Sequence, residues 1–371
     1  MVEEHNPYMN IGPGEFIKEE LDFRNWKQED LADILGISLK SVNKLMRNKQ
    51  AITIETAKLL SKAFGQSAQY WASLDTNYRL RLKDDTTREK TVGTKAEIYK
   101  YMPVKEMVKK RWIEPTEDIN ELVNEIKSFW GIAGLNFSFL DEISLPNLRK
   151  SEAFQQYNKY YALTWFRMAQ RCANHYRAGT YAEVDLKKLA NLIHRYSYQK
   201  NGVLLFLRDL NGAGVKFFIL NHLQKTYIDG ATFYDEGNPV IVYTRRYDRI
   251  DNFWFTLAHE IAHILLHIKQ KDDFFIDSLE ELTTKTEKEA DSFAANLLRA
   301  SEILKYFEPF RNYISTMRVM SCSQTLEIHP AIIVGVLQHY GMLDRKNLNR
   351  FKDTVSHLIP KRYMTAEHIE R

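Results

Sequence analysis

Cysteine is scarce in this sequence, and long apolar runs are absent from it. The 371 residues include two cysteines, Cys172 and Cys322, which provide no disulfide framework and are typical of a protein from the reducing cytoplasm. No apolar stretch approaches the roughly 20 residues that span a bilayer. The acidic, polar start MVEEHNPYMN does not resemble a secretory signal. We therefore expect a cytoplasmic protein that does not insert into a membrane.

A strong net charge and internal repeats are lacking too. The formal net charge is +4 at pH 7, which is too small to indicate nucleic-acid binding by itself. Hydrophobic residues make up 44% and charged residues 27% of the chain, the balance of an ordinary globular protein. The length of 371 residues predicts two or three domains.

The pattern of apolar residues changes several times along the chain. Residues 14–80 form short amphipathic helical segments, residues 81–97 favour a linker or an exposed helix end, and residues 98–200 are helical in pattern and rich in aromatics. Three short β-rich runs follow, separated by turn residues, and the pattern is helical again from Trp254 onward. The three runs are VKFFILNHL (215–223), GATFYD (230–235) and PVIVYT (239–244). The predicted fold class is mainly α with a small β-sheet (α+β).

A pair of short helices is predicted near the N-terminus. Apolar residues at helical spacing end at Gly36, which can terminate a helix. Ser38 can cap a second helix, in which Val42 and Leu45 face inward. Helix, glycine-containing turn and helix make up the plan of a helix-turn-helix.

The outer face of the second helix is basic. Residues 38–49 contain four basic residues and no acid. Such a helix can enter the major groove, with polar side chains on base edges and the remaining cations on phosphates. A solvated basic face on a helical bundle is the alternative interpretation. The candidate DNA-contacting residues are Gln28, at the start of the first helix, and Lys40, Ser41, Asn43, Lys44 and Arg47.

Residues 12–82 resemble the XRE-type helix-turn-helix domain of HigA antitoxins. The resemblance rests on PGEFIKEEL, on KQEDLADILGISLKSVNKLMRNKQAIT and on AFGQSAQYWASLDTNYRL. It implies that the domain binds double-stranded operator DNA, usually as a homodimer. It also leaves open a toxin partner, which one chain cannot identify.

The stretch FTLAHEIAHILLH (255–267) has the spacing of a metal site. His259 and His263 are four residues apart, so on a helix they share one face with β-carbons roughly 5–6 Å apart and can bind one cation. Glu260 is rotated by about 100° from His259 and can act on a water molecule held at the metal. This is the logic of an HExxH motif, and a catalytic zinc needs one further protein ligand.

The third ligand is predicted in TEKEADSFAANLL (286–298). Glu287 and Asp291 share one helix face, so Glu287 can bind the metal while Asp291 accepts the second N–H of a ligating histidine. Glu289 is the rival ligand, but it has no such partner one turn later. For His267, which extends the row of histidines, a structural role is favoured over one beside the metal or facing the substrate. The alternative interpretation of the whole pattern is a pair of packed helices with surface histidines and acids.

Residues 200–300 resemble the ImmA/IrrE family of metallopeptidases. The resemblance rests on GATFYDEGNPVIVYTRRYDRIDNFWFTLAHEIAHILLH and EKEADSFAANLL, and LEIHPAIIVGVLQHYG (326–341) extends it. It implies that His259, His263 and Glu287 hold one zinc ion per chain and that Glu260 is the general base. Family members often continue LL-x-P where this chain has LLRA, a difference that affects the helix end and not the ligands. Manganese or iron could occupy the same ligands.

Two functions are consistent with these motifs. The first is a DNA-binding transcriptional regulator fused to a zinc-dependent endopeptidase, which cleaves a repressor-like regulatory protein or itself, in the latter case near residues 81–110. The strand PVIVYT (239–244) is expected to be an edge to which a peptide can add. The alternative is a HigA-like antitoxin or autorepressor whose metal domain binds a partner or senses a signal without proteolysis.

The motifs and the changes in pattern predict four regions. They are a helix-turn-helix domain (12–82), a linker and helical connecting region (83–200), a metallopeptidase core (201–305) and a C-terminal helical region (306–371).

Overall fold

The computed structural model divides into two compact units, Met1–Gly93 and Thr94–Arg371. The structure describes five segments of the chain, residues 10–82, 86–143, 158–268, 274–277 and 285–364.

The first unit is a bundle of helices around a core that includes Ile17, Leu31 and Trp71. Its helices are α1 (Pro13–Arg24), α2 (Gln28–Leu35), α3 (Leu39–Met46), α4 (Ile54–Phe64) and α5 (Ala68–Leu80). The predicted helix-turn-helix is confirmed. Helix α2 ends at Gly36, whose φ of 64° lies in the left-handed region that glycine tolerates. The Ser38 hydroxyl accepts a hydrogen bond from the Ser41 amide at 3.2 Å and so begins α3.

Residues 86–97 lie in a helix, α6 (Thr86–Tyr101), which agrees with the exposed helix end and not with the linker among the two alternatives predicted for residues 81–97. Most of the α6 side chains up to residue 97 are exposed to solvent, which explains their polar composition. Residues 83–85, which belong to the same predicted linker, lie outside the described residues.

Seven helices of the described chain follow α6 and precede the sheet. They are α7 (Val104–Lys109), α8 (Ile119–Trp130), α9 (Ser138–Glu142), α10 (Lys159–Ala173), α11 (Glu183–Asn191), α12 (Ile193–Tyr198) and α13 (Gly202–Gly212). The helical pattern predicted for residues 98–200 is thus confirmed over the described residues.

A small mixed sheet lies in the second unit. Its strands are β1 (Lys216–Ile219), β2 (Gly230–Asp235), β3 (Asn238–Tyr243) and β4 (Phe274–Asp277), in the order β1-β3-β2-β4. Strands β1 and β3 are parallel, and β2 is antiparallel to both β3 and β4. The turn between β2 and β3 consists of Glu236 and Gly237, both with positive φ, as a tight two-residue hairpin of this kind requires.

Two expectations about the sheet are wrong. Strand β3, which contains most of PVIVYT, is not an edge, because it is hydrogen-bonded to β1 on one side and to β2 on the other. The chain is also not helical throughout after Trp254, because β4 adds a fourth strand.

The sheet has a hydrophobic core on each face. Alternate side chains of a strand point to opposite faces of the sheet. On β1, Phe217 therefore belongs to the core that contains Trp254, and Phe218 belongs to the core that contains Trp165 of α10. The helices after β3 are α14 (Ile250–Ala262), α15 (Lys285–Leu297), α16 (Ala300–Phe307), α17 (Thr316–Leu326) and α18 (Pro330–His339). A π-helical segment, His263–His267, continues α14 directly.

Within the described residues, no single helix is long and apolar enough to cross a membrane. Only α17 and α18 taken together pass that test of length and composition, with a bend of 111° between them.

Candidate metal centre and DNA-binding surface

Helix α14, the π-helical segment that continues it and helix α15 bring three buried ionisable side chains together. His259, His263 and Glu287 each offer one ligand atom, and these atoms all lie within 4.8 Å of one another. The Nε2 atoms of the two histidines are 3.0 Å apart, and Glu287 lies 3.2 Å from Nε2 of His259 and 3.7 Å from Nε2 of His263. Burial of such groups is costly without a compensating partner, and a cation at their centre would supply one.

Asp291 supports one of the two histidines. Its Oδ1 atom lies 2.7 Å from Nδ1 of His259. A carboxylate accepts and does not donate, so it selects the tautomer with the proton on Nδ1. The lone pair of His259 Nε2 is then available toward Glu287, as a metal ligand requires.

Glu260 of α14 is fully buried, and its side chain faces strand β2. Its Oε2 atom accepts a hydrogen bond from the hydroxyl of Thr232. A β-carbon on Gly230 would overlap Oε1 of Glu260, so the close approach of strand and carboxylate depends on glycine at this position. Sequence reasoning missed Thr232 and Gly230, although the glycine at the start of the GATFYD strand is a signal of close approach.

His267 contacts the second histidine of the motif. The Nδ1 atoms of His263 and His267 are 3.1 Å apart, and Nε2 of His267 lies 3.1 Å from Oε2 of Glu289. Burial lowers the pKa of His267, and the hydrogen bond from His267 lowers the pKa of Glu289. Glu289 therefore lies against His267 and not in the group formed with Glu287.

Strand β4 supplies an aromatic wall to the cluster. The Phe275 ring is stacked on the imidazole of His263, with centroids 4.4 Å apart and planes 21° from parallel. Sequence reasoning missed this residue together with its strand.

The residues predicted to contact DNA lie on or beside α2 and α3. Lys40, Lys44 and Arg47 are exposed, whereas Gln28, Ser41 and Asn43 are half-buried. The Ser41 hydroxyl is hydrogen-bonded to that of Ser38 at 3.0 Å, and the Asn43 amide donates to the Leu39 carbonyl at 3.1 Å. The cations of α3 are thus directly available to a ligand, and the Ser41 and Asn43 side chains also have contacts within their own helix.

Two family models match separate parts of the chain. Residues 17–71 match the helix-turn-helix family, and residues 199–328 match the IrrE N-terminal-like domain of the M78 peptidase family. The first match begins within α1, covers α2 to α4 and reaches Trp71 in α5, and the second covers the sheet, α14 and α15.

Three curated relatives match about a fifth of the chain. Virulence-associated protein I of Dichelobacter nodosus is 35% identical over 75 residues, which are 20% of this chain and 69% of that protein. An uncharacterized HTH-type transcriptional regulator of Haemophilus influenzae is 34% identical over 68 residues, 18% of this chain and 64% of the relative. The uncharacterized HTH-type transcriptional regulator YddM of Escherichia coli is 32% identical over 74 residues, 20% of this chain and 79% of the relative.

The fold, the paired helices and these matches define a regulator domain joined to a second domain of a different class. The chain belongs to the XRE-type helix-turn-helix regulators and carries, fused to that domain, an IrrE/ImmA-like M78 peptidase domain.

Proposed function

We propose that this protein is a DNA-binding transcriptional regulator that also acts as a zinc-dependent endopeptidase. The observation that carries the proposal is the buried group of His259, His263 and Glu287, with Glu260 next to His259 on α14. Two imidazole nitrogens and one carboxylate oxygen are a donor set of catalytic zinc sites. These three side chains would hold the ion.

Zinc at this position would polarise the scissile carbonyl and lower the pKa of a water molecule toward about 7. Glu260 takes the proton of the attacking water on its carboxylate and delivers it to the nitrogen of the leaving amine. The Thr232 hydroxyl holds Oε2 of Glu260 and so fixes the plane of that carboxylate during the transfer. Asp291 keeps the proton of His259 on Nδ1 and leaves Nε2 to bind.

Strand β4 is the edge on which we expect an extended substrate to bind. Among the described strands β4 pairs only with β2, so its other edge faces no strand of the sheet. A peptide can add to such an edge by main-chain hydrogen bonds. Phe275 of β4 is stacked on His263, so this edge lies beside the side chains that we propose as metal ligands.

A second protein is favoured over this chain itself as the substrate. Most of the stretch considered for self-cleavage, residues 81–110, is helical in α6 and α7. A helix would have to unwind before it could pair with β4 as a strand. We therefore favour cleavage of a repressor-like regulatory protein, with the helix-turn-helix domain binding operator DNA as a homodimer.

Metal content and cleavage together test the peptidase. Full-length wild type, purified without chelator and offered zinc, should contain roughly one zinc per chain. His263→Ala should lose the metal, Glu260→Gln should keep it without cleaving candidate repressors, and His339→Ala, an exposed histidine elsewhere, should match wild type. Wild type without metal would end the proposal. Metal with no cleavage of any repressor tried would favour the HigA-like alternative, in which the second domain senses a signal or binds a partner.

A matched pair of variants tests the third ligand. Glu287→Gln should abolish tight zinc binding, because it removes a carboxylate from the buried group. Glu289→Gln should leave tight binding in place, because its carboxylate contacts His267. The reverse result would transfer the ligand role to Glu289.

A further inference from the structure

We infer that His267 and Glu289 form a hydrogen-bond relay that fixes the tautomer and ring orientation of His263, which makes His267 a positioning residue of the metal centre. The inference rests on the proposed function, because it assumes that His263 binds the metal. It gives a role in the site to a histidine for which a structural role was favoured from sequence.

The first step concerns the two ring nitrogens of His263. Its Nε2 atom faces the cluster, 3.0 Å from Nε2 of His259 and 3.7 Å from Glu287. Its Nδ1 atom faces His267 at 3.1 Å. A neutral imidazole that binds a cation through Nε2 must carry its proton on Nδ1, so His263 donates to Nδ1 of His267.

The second step concerns His267. Because its Nδ1 atom accepts from His263, its own proton resides on Nε2, and this N–H points to Oε2 of Glu289 at 3.1 Å. Each N–H of this arrangement has an acceptor. With neutral rings, the opposite tautomer of His267 would set a nitrogen lone pair against the Glu289 carboxylate and place the proton of His263 on the nitrogen needed for the metal.

The third step concerns what holds the two rings in place. They lie at the two ends of the π-helical segment His263–His267, where the Ile268 amide donates to the His263 carbonyl at 3.0 Å. Single π-helical turns within α-helices are frequent at functional sites. Phe275 covers both imidazoles, with its ring centroid 4.4 Å from that of His263 and 5.8 Å from that of His267.

The relay means that the two histidines differ in how their Nδ1–H groups are hydrogen-bonded. His259 donates directly to Asp291, whereas His263 reaches a carboxylate only through a second imidazole. The His267 side chain is 7% exposed and that of Glu289 is 46% exposed. Water, which carries no charge, can therefore replace the exposed Glu289 as the terminal acceptor only in part, and it cannot readily replace the buried His267.

Zinc affinity of the full chain, measured by competition with a chromogenic chelator, tests the relay. His267→Phe keeps a ring beside Phe275 and removes the acceptor, so zinc should bind about 10- to 100-fold more weakly. His267→Asn offers a carbonyl oxygen near the position of Nδ1 and should restore most of that affinity. Lys288→Ala, which removes an exposed charge from α15, should bind zinc like wild type.

The cobalt(II) absorption spectrum and the melting temperature of the metal-free protein separate positioning from packing. We expect His267→Phe to melt like wild type without metal and to show an altered cobalt spectrum. Zinc affinity and cobalt spectrum both equal to wild type would overturn the relay. If His267→Phe does not fold, the zinc affinity of Glu289→Ala tests the relay instead. We expect that affinity to fall a few-fold, and an affinity equal to that of wild type would contradict the inference. Wild type that binds no metal would instead refute the proposed function.

Discussion

Gly230, the first residue of β2, lies so close to Glu260 of α14 that a β-carbon would overlap the Oε1 atom of the carboxylate. Two positions further along the same strand, the Thr232 hydroxyl donates to Oε2. The strand thus fixes both oxygens of the fully buried carboxylate, one by a hydrogen bond and the other by close packing.

Alanine at position 230 should displace Glu260 without removing a metal ligand. We expect Gly230→Ala to lower the turnover of a cleavable substrate by roughly 10²-fold or more, the typical contribution of a general base, while zinc content stays at the wild-type level. Parallel measurements of turnover and bound zinc test this. Gly212→Ala is the control, because a β-carbon there would meet nothing within 4 Å beyond its chain neighbours and the backbone of its own helix. Wild-type turnover in Gly230→Ala would show that Glu260 does not depend on the glycine.

Loss of the Asp75 carboxylate should destabilise the helix-turn-helix unit. Asp75 is 4% exposed, and its Oδ2 atom accepts from the Ile52 amide at 3.0 Å. Asp75→Ala leaves that buried N–H without its acceptor, so the free energy of unfolding should fall by about 1–3 kcal/mol. Asp75→Asn keeps an oxygen there and should lose less. Thermal unfolding and hydrogen exchange at the Ile52 amide measure the effect. Asp33→Ala, which removes an exposed carboxylate, is the control. An Ile52 amide that exchanges as slowly in Asp75→Ala as in wild type would refute the argument.

Removal of one exposed cation from α3 should weaken DNA binding without changing its specificity. Lys44→Ala should lower affinity for selected and unselected duplexes alike. The slope of log K against log salt should become shallower by about 0.9, the value for one phosphate contact. Titrations at several salt concentrations measure both quantities. Lys346→Ala removes an exposed lysine from the second unit and serves as control. A change confined to one base pair of the operator would instead place Lys44 on a base edge.

The two cysteines should be inert while the protein is folded. Burial raises the pKa of both Cys172 and Cys322 from 9.0 to about 12. A thiol with a raised pKa contributes stability that is present below about pH 9 and is lost as the pH rises toward 12. Ellman's reagent should therefore label neither thiol in native protein at pH 8 and both in guanidinium. Rapid labelling of the native protein would show that one side chain is accessible.

The local elements of this fold were largely predictable from sequence, because their signals lie within a few residues. Gly36 and Ser38 delimit α2 and α3 by conformational preference and capping, and the β-rich runs correspond to β1, β2 and β3. The order of the strands was not predictable, because the parallel pairing of β1 with β3 joins segments separated by the whole of β2. The four-residue strand β4 lacks the length and alternation that distinguish a strand from a helical segment.

The same limit applies to the candidate site. The i, i+4 spacing of His259 and His263 correctly predicted that both share one face of α14 and the π-helical segment that continues it, and the spacing of Glu287 and Asp291 did so for α15. The contact of His267 with Glu289 joins two helices across 22 positions, and the contact of Thr232 with Glu260 joins a strand and a helix across 28. No helical or strand period relates such residues, so only the packed structure reveals these contacts.

The consecutive residues Phe274 and Phe275 give the register of β4 an unusual importance. Phe274 is stacked on Phe166 of α10, on one side of the sheet, and Phe275 is stacked on His263, on the other. Because side chains alternate along a strand, a shift of β4 by one position against β2 would exchange the two sides. Phe275 and Asp277 would then point toward α10. Phe274 or Ile276, depending on the direction of the shift, would take the position opposite Thr232 on the side of His263. The four paired positions of β2 and β4 thus decide which side chain packs on His263 in the candidate metal centre and which side chains pack against α10.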